Sequence, residues 1–416
     1  MIESSTHTLS NGIRVVHHHD RTTRMVAVNV LVDVGSRDET PPHTGLAHLM
    51  EHLMFGGSAN ISQFDDELQA AGGESNAWTS DDVTNFYDIL PAHNIETAFW
   101  LESDRLRELS FTPKSFETQR SVVIEEFKQR CLNQPYGDIG HIVRQGAFTE
   151  HPYRWPVIGA NVADVEGCSL DVVKDFYYRH YCPNRIVVGI AGAVDSDTAF
   201  RLAEKWLADI PTRRSEPRKL PNEPKQIHQR LITVNREVPQ NIIVKAYHMC
   251  GRNDDDYYAT DLLSDVLANG NSARFMRNIL MTTDLFTDLD ASIWGSIDPG
   301  LLVIKGKLQH GVTFDQANSA IDAELARLVA DGVSQREVDT MAAKAESNDL
   351  AENINYSQKA VKLCWHMLLS GKADNINNTA KNYQAVTAEH VQRIASRIIR
   401  PGNETRLYYG PKILTD

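Results

Sequence analysis

Residues 45–56 read Gly-Leu-Ala-His-Leu-Met-Glu-His-Leu-Met-Phe-Gly. Wound as a helix, this segment places His48 and His52 one turn apart on one face. Leu46, Ala47, Leu49, Met50, Leu53 and Met54 fill one broad arc, and His48, Glu51 and His52 share the opposite one. One side can pack into a core while the other holds a metal ion. Two neutral imidazoles at this spacing suit Zn²⁺, which takes His nitrogen readily. A carboxylate that is not itself a ligand can stand beside them as general base, the role expected of Glu51. The plainer alternative is an amphipathic helix with two surface histidines among the 16 of the chain. It leaves unexplained why Glu51 lies on the histidine arc and why a suitable third ligand follows downstream.

That third ligand comes from the segment after Thr112-Pro113, a pair that reads as N-cap and first-turn proline. Phe116, Val123 and Phe127 then mark a buried stripe. Glu126 lies at the stripe's edge, whereas Glu125 points nearly opposite, toward solvent. A carboxylate held against an apolar face costs free energy unless it is paired or bound to metal. Glu126 therefore completes a His₂Glu set with one position open for water, and one Zn²⁺ per chain is expected. Taken alone, the segment also reads as a helix with two exposed glutamates.

At 416 residues the chain exceeds what one hydrophobic core usually serves, so two domains are expected. A 42% hydrophobic content is enough for sizeable cores. A net charge of −13 argues against a nucleic-acid-binding surface. The five cysteines are scattered, odd in number and without C-x-x-C spacing. They read as reduced thiols that pack as small hydrophobes. No run approaches the length of a membrane span, and Met1-Ile-Glu-Ser-Ser-Thr-His-Thr-Leu lacks the pattern of a signal peptide. The expectation is a cytoplasmic protein with no membrane association. His17, His18 and His19 are expected to end a strand, Ile13 to Val16, before a turn at Asp20.

Residues 211–226 hold four prolines among polar and charged residues and read as a linker. They separate an expected first domain, 1–210, from a second, 227–416. The halves resemble each other. Residues 170–192 (LDVVKDFYYRHYCPNRIVVGIAG) and 388–410 (AEHVQRIASRIIRPGNETRLYYG) both read as a helix, a proline and a strand ending in glycine. Strands predicted at 27–34 and 241–249 are each followed by a Gly-x-x-Asp tetrapeptide, at Gly35–Asp38 and Gly251–Asp254, and then by a helix. Aligning 45–59 with 259–273 sets His48 against Leu262, Glu51 against Asp265 and His52 against Val266. The second half keeps the helix and loses the ligands. Strands and helices come in segregated runs, which favours an α+β fold with largely antiparallel sheets flanked by helices. After Gly72-Gly73, the stretch Asn76-Ala77-Trp78-Thr79 and the alternating residues 81–87 predict a hairpin whose first strand is an edge. An edge strand can take an extended peptide by strand addition.

Three stretches together carry a specific resemblance: His48-Leu-Met-Glu51-His52 in the inverted order H-x-x-E-H, Asn76-Ala77-x-Thr79, and Arg120-Ser-Val-Val-Ile-Glu-Glu126. They resemble the pitrilysin/insulinase family of zinc peptidases, and the two-domain length is similar to its mitochondrial-processing-peptidase-like branch. The resemblance implies His48, His52 and Glu126 as ligands, Glu51 as base, and Asn76 and Ala77 against the substrate backbone. It further implies two homologous α+β domains that pair with two more into a clamshell around a closed chamber. The implied activity is a zinc endopeptidase cleaving unfolded peptides or presequences. Two departures stand out. Gln119 occupies the position, seven residues before the ligand Glu, where the family usually has Glu. Residues 280–292 (LMTTDLFTDLDAS) lack the Arg and Tyr that complete family sites use. The expected partner is therefore a homologous subunit supplying that pair in a heterodimer, with a homodimer as the alternative. From other classes, the rival readings are a non-catalytic structural or assembly subunit and a metal-binding regulatory module.

Overall fold

In the computed structural model, which describes residues 1–213 and 215–411, the strands gather into two sheets. Residue 214 of the expected linker and residues 412–416 lie outside the described residues. The first sheet holds β1 (Ser5–Thr8), β2 (Arg14–His19), β3 (Met25–Val32), β4 (Glu74–Thr79), β5 (Thr84–Pro91) and β6 (Ile186–Gly192), in the order β1-β2-β6-β3-β5-β4. The second holds β7 (Arg230–Asn235), β8 (Ile242–His248), β9 (Phe286–Trp294), β10 (Leu301–Leu308) and β11 (Glu404–Gly410), in the order β7-β11-β8-β10-β9. Apart from β1 the two orders correspond strand for strand. In each sheet one pair is parallel, β2–β6 and β7–β11, and the other pairs are antiparallel. The fold is α+β, and β4 is the sheet edge the hairpin reading expected.

The helices that position the site are α1 (Leu46–Leu53), α2 (Phe64–Ala70), α3 (Ile95–Arg107) and α4 (Pro113–Phe127); α5 (Ile139–Ala147) follows them. In the first sheet, β3 and β6 are buried along nearly their whole length because both faces are covered. This is why they read as continuous apolar runs rather than alternating ones. α1, α3 and α4 share one core with that sheet. The other face is covered by the helix Tyr356–Ser370, which sets Leu363, Cys364 and Met367 against Val16, Leu31 and Val187. Its backbone comes so close that a Cβ on Gly189 of β6 would lie 2.5 Å from Cys364 Sγ. In the second sheet, Ile139, Val143 and Ala147 of α5 pack with Val244, Ala246, Val303 and Leu407.

The compact units are therefore not the contiguous stretches 1–210 and 227–416. One unit comprises Met1–Gln129, Trp155–Leu220 and Asp349–Asn378; the other comprises Arg130–Arg154, Pro221–Asn348 and the chain from Thr379 onward. Each half keeps the helices that cover one face of its own sheet and lends one helical segment to the far face of the other. Two-sided burial is the physical reason, since an uncovered apolar sheet face would stay in water. The division at Leu220/Pro221 falls inside the expected linker. That segment is tied down locally: Arg218 Nε donates to Asp38 Oδ1 (2.8 Å), and the Glu223 carboxylate accepts from the amides of Thr149, Glu150 and His151.

The three consecutive histidines also need correction. β2 runs through them to His19, because its ladder to β6 continues to the His19–Gly192 pair. Main-chain pairing is indifferent to the imidazoles, and His17 Nε2 finds the Val194 carbonyl at 2.9 Å. All five cysteines are free thiols, four of them buried. Among the described residues, no helix is long and apolar enough to cross a membrane.

One buried histidine makes stability depend on pH. Burial pushes His180 down from 6.5 to about 4, with Asp38 opposing and Arg185 assisting the shift. Arg185 Nη1 donates to its Nδ1 at 3.2 Å, which requires a neutral ring. The unfolded chain binds this proton and the folded chain does not, so stability is full above pH 6.5 and falls as pH drops toward about 4. Thermal unfolding followed across this window should show a flatter decline for His180→Asn than for the wild type. An unchanged slope would remove His180 as a source of acid sensitivity.

Candidate metal centre

α1 begins at Gly45, whose φ of +87° is a left-handed conformation that favours glycine. A Cβ there would also press on the Ile158 carbonyl and Val165 at 3.0 Å. Gly45 offers no side chain to cap the helix. Glu39, itself buried, supplies the cap: its carboxylate accepts from Gly45 N at 2.9 Å and from Ala47 N at 2.8 Å. Leu46, Ala47, Leu49, Met50 and Leu53 then enter the core, as the apolar arc predicted.

α4 packs beside α1. Thr112 caps it by accepting from Ser115 N (3.1 Å), Pro113 opens its first turn, and Phe116, Val123 and Phe127 are buried. Glu125 turns to solvent and pairs with Lys128 at 2.7 Å. Glu126 turns the other way, toward the histidines. Its Oε2 lies 3.7 Å from His48 Nε2 and 3.5 Å from His52 Nε2. One ligand atom from each of the three residues lies within 4.8 Å of the others. Around a tetrahedral Zn²⁺ with bonds of about 2.1 Å, ligand atoms stand about 3.4 Å apart. Donor chemistry and spacing therefore fit zinc. Burial disfavours a charged His52 ring, but its hydrogen bond to Glu126 and the charges of Glu51 and Glu126 outweigh this and hold its pKa above the ordinary imidazole value. The Gln119 side chain also favours the protonated ring.

Glu51 stands outside the three-ligand cluster. Its Oε2 accepts a hydrogen bond from the Thr79 hydroxyl, on the edge strand β4. Asn76 and Ala77 sit on that strand, Asn76 exposed and Ala77 half-buried. The Asn76 side-chain oxygen accepts from the Ala77 amide at 2.8 Å. Between α2 and β4 lies a cavity of about 340 Å³, lined by Phe55, Leu68, Asp65 and Ser75 among others. His48, Glu51, His52, Asn76, Ala77 and Glu126 thus all lie within one unit.

Sequence reasoning missed Glu39 and the Thr79–Glu51 bond. A capping box looks three residues ahead, whereas Glu39 reaches six and eight residues ahead, so no spacing rule finds it. Thr79 meets Glu51 only through tertiary packing.

The chain thus has a two-sheet α+β fold that sets an inverted H-x-x-E-H helix against a glutamate-bearing helix. A family model described as "Insulinase (Peptidase family M16)" matches residues 14–137, and one described as "Peptidase M16 inactive domain" matches residues 167–344. The chain is 25% identical over 410 residues to the zinc protease PqqE of Helicobacter pylori, covering 97% of this chain and 92% of that one. It is 24% identical over 397 residues to the uncharacterized zinc protease YmxG of Bacillus subtilis, covering 94% and 95%. Among solved structures, a protease from Helicobacter pylori superposes with a TM-score of 0.91 at 24% identity over 99% of this chain and 100% of that one. Pitrilysin superposes with a TM-score of 0.78 at 20% identity over 99% of this chain and 45% of its own. The chain belongs to peptidase family M16, the pitrilysin/insulinase family.

Proposed function

We propose that this protein is a zinc-dependent endopeptidase that cleaves unfolded peptides or presequences inside a chamber closed by dimerisation. The observation that carries the reading is the convergence of His48, His52 and Glu126 on one point, with Glu51 beside them and bonded to the edge strand. His48, His52 and Glu126 would hold one Zn²⁺ per chain. When bound, the ion would supply Lewis acidity toward the scissile carbonyl and a lowered pKa for water. Glu51 takes the proton of the attacking water at its carboxylate and later delivers it to the leaving amine nitrogen. The Thr79 hydroxyl holds that carboxylate in place. The free edge of β4 binds an extended chain by main-chain pairing, with Asn76 and Ala77 against the substrate backbone. Strand addition of this kind accepts flexible segments and excludes folded domains.

One observation bears on whether the chain acts alone, the alternative to an enzyme being a non-catalytic structural or assembly subunit of the same fold. The segment 280–292 carries no Arg or Tyr, and its three threonine hydroxyls already serve the backbone. Thr282 donates to the Asn278 carbonyl, Thr283 to that of Ile279, and Thr287 to that of Lys307. Losing a donor to the developing oxyanion costs about 3–4 kcal/mol of transition-state stabilisation. A homodimer is symmetric and lacks the pair twice. We therefore favour a heterodimer with a homologous chain that carries it.

Metal analysis should find one zinc per chain, strongly reduced in Glu126→Gln and unchanged in Glu125→Gln; equal zinc in both variants would remove Glu126 from the ligand set. Glu51→Gln should keep its zinc and lose peptide cleavage by roughly 10²-fold or more, as general-base removal does. Retained cleavage in that variant would refute the assigned role. Peptides of some tens of residues should be cleaved and tightly folded proteins spared. Adding a homologous chain with the Arg and Tyr should raise cleavage well above that of the isolated chain. Full activity alone, with no gain on mixing, rules out the heterodimer.

A further inference from the structure

We propose that Glu39 is a positioning residue of the metal centre: its carboxylate clamps the first turn of α1 and thereby sets where the His48 and His52 ligand nitrogens lie. The inference rests on the zinc reading above and names a residue outside the ligand set.

A helix N-terminus leaves four backbone N–H groups without helical partners. α1 starts at a glycine, so no side chain at its own N-cap takes up any of them. Glu39 covers two at once, with Oε2 on Gly45 N and Oε1 on Ala47 N. A two-point attachment fixes both the slide of the helix along its axis and its roll about that axis; a single bond would leave the roll free. The Trp155 indole ties down the chain just before Glu39, its Nε1 donating to the Ser36 carbonyl at 3.0 Å. The neighbouring Thr44 adds a tie by donating to Asp164, and its hydroxyl accepts from Ala160 N at 2.7 Å.

The geometry makes this attachment matter for the metal. At 1.5 Å per residue, His48 lies about 1.5 Å and His52 about 7.5 Å along the axis from the clamped Ala47 amide. A short helix pivots about its fixed end, so a small tilt displaces His52 more than His48. Metal bonds tolerate errors of about 0.2 Å. Without the clamp, the two nitrogens lose a fixed distance from Glu126, which sits on a different helix. Burying a carboxylate is costly, and Glu39 is 4% exposed. The two amides of α1 account for an acid at that buried position.

The experiment compares wild type, Glu39→Ala, Glu39→Gln and Leu202→Ala. Leu202 is a buried residue of the helix Ser196–Leu207, so its truncation hollows the same core while leaving the Glu39 hydrogen bonds to α1 in place. Affinity for Zn²⁺ alone is measured against a competing chelator, and the visible spectrum of Co²⁺-loaded protein reports the ligand geometry. Thermal unfolding of the metal-free proteins calibrates the general destabilisation. Glu39→Ala should weaken zinc binding by about 10-fold or more, on the scale seen when groups supporting metal ligands are removed, and should alter the Co²⁺ spectrum. Leu202→Ala should lower the unfolding temperature yet keep the affinity and spectrum of the wild type. Should Glu39→Ala not fold, Glu39→Gln decides: its volume is kept, one amide keeps its acceptor, and the new NH₂ group opposes the other, so weaker binding is still expected. If the Glu39 variants bind zinc as tightly as Leu202→Ala, the positioning role is wrong while the metal centre stands. If the wild type takes up no zinc, the metal reading falls and this inference with it.

Discussion

The packing of α1 against α4 is the contact on which the site depends. Leu49, Met50 and Leu53 from one helix and Phe116 and Val123 from the other belong to one buried cluster. The histidines ride on the first helix just outside that seam, and Glu126 rides on the second, three residues beyond Val123. Burial of the seam therefore does two things at once. It stabilises the unit by removing apolar surface from water, and it delivers a carboxylate to two imidazoles that lie far from it in the chain. Without an ion, the same packing gathers a carboxylate and two rings in a half-buried place, which is why His52 holds its proton more strongly than an ordinary imidazole.

Glu51 connects this centre to the sheet. It lies on the histidine side of α1, yet its hydrogen bond goes to Thr79 at the end of β4. Among the described residues, β4 has a neighbouring strand on one side only. In the proposed reaction the strand that aligns the peptide and the group that moves the proton are therefore joined by one hydroxyl. The cavity between α2 and the same strand gives room for a side chain of a peptide lying along that edge.

The second half shows what the same architecture does without the chemistry. The helix Tyr257–Ala268 corresponds to α1, and both Leu262 and Val266 are buried apolar residues where α1 has histidines. Asp265, where α1 has Glu51, is pushed up to about 6 by burial. That repeat uses its helix for core packing. The two sheets keep the same strand order, and each takes a covering helix from the other half. The halves are thus structurally interdependent, although among the described residues the candidate metal cluster lies in the first.

Much of the site was legible in the sequence because its logic is helical. The periodicity of 45–56 separates core face from histidine face, and the periodicity of 113–127 separates Glu126 from Glu125. Local rules also found the Thr112 cap, the β4 hairpin edge, and the helix-proline-strand units that end at Gly192 and Gly410. What the sequence did not carry are contacts between segments whose spacing follows no period. Glu39 reaching over a loop to α1, Thr79 meeting Glu51, and the helix Tyr356–Ser370 crossing to the first sheet are of this kind. The same is true of the non-contiguous units, since composition marks a linker but not which sheet face lacks a cover. Sequence by itself determined which faces are apolar and which residues have ligand chemistry, because those follow from one chain segment's own geometry. Only the tertiary structure decided which faces meet, because the free energy of burial depends on area covered and not on which segment covers it.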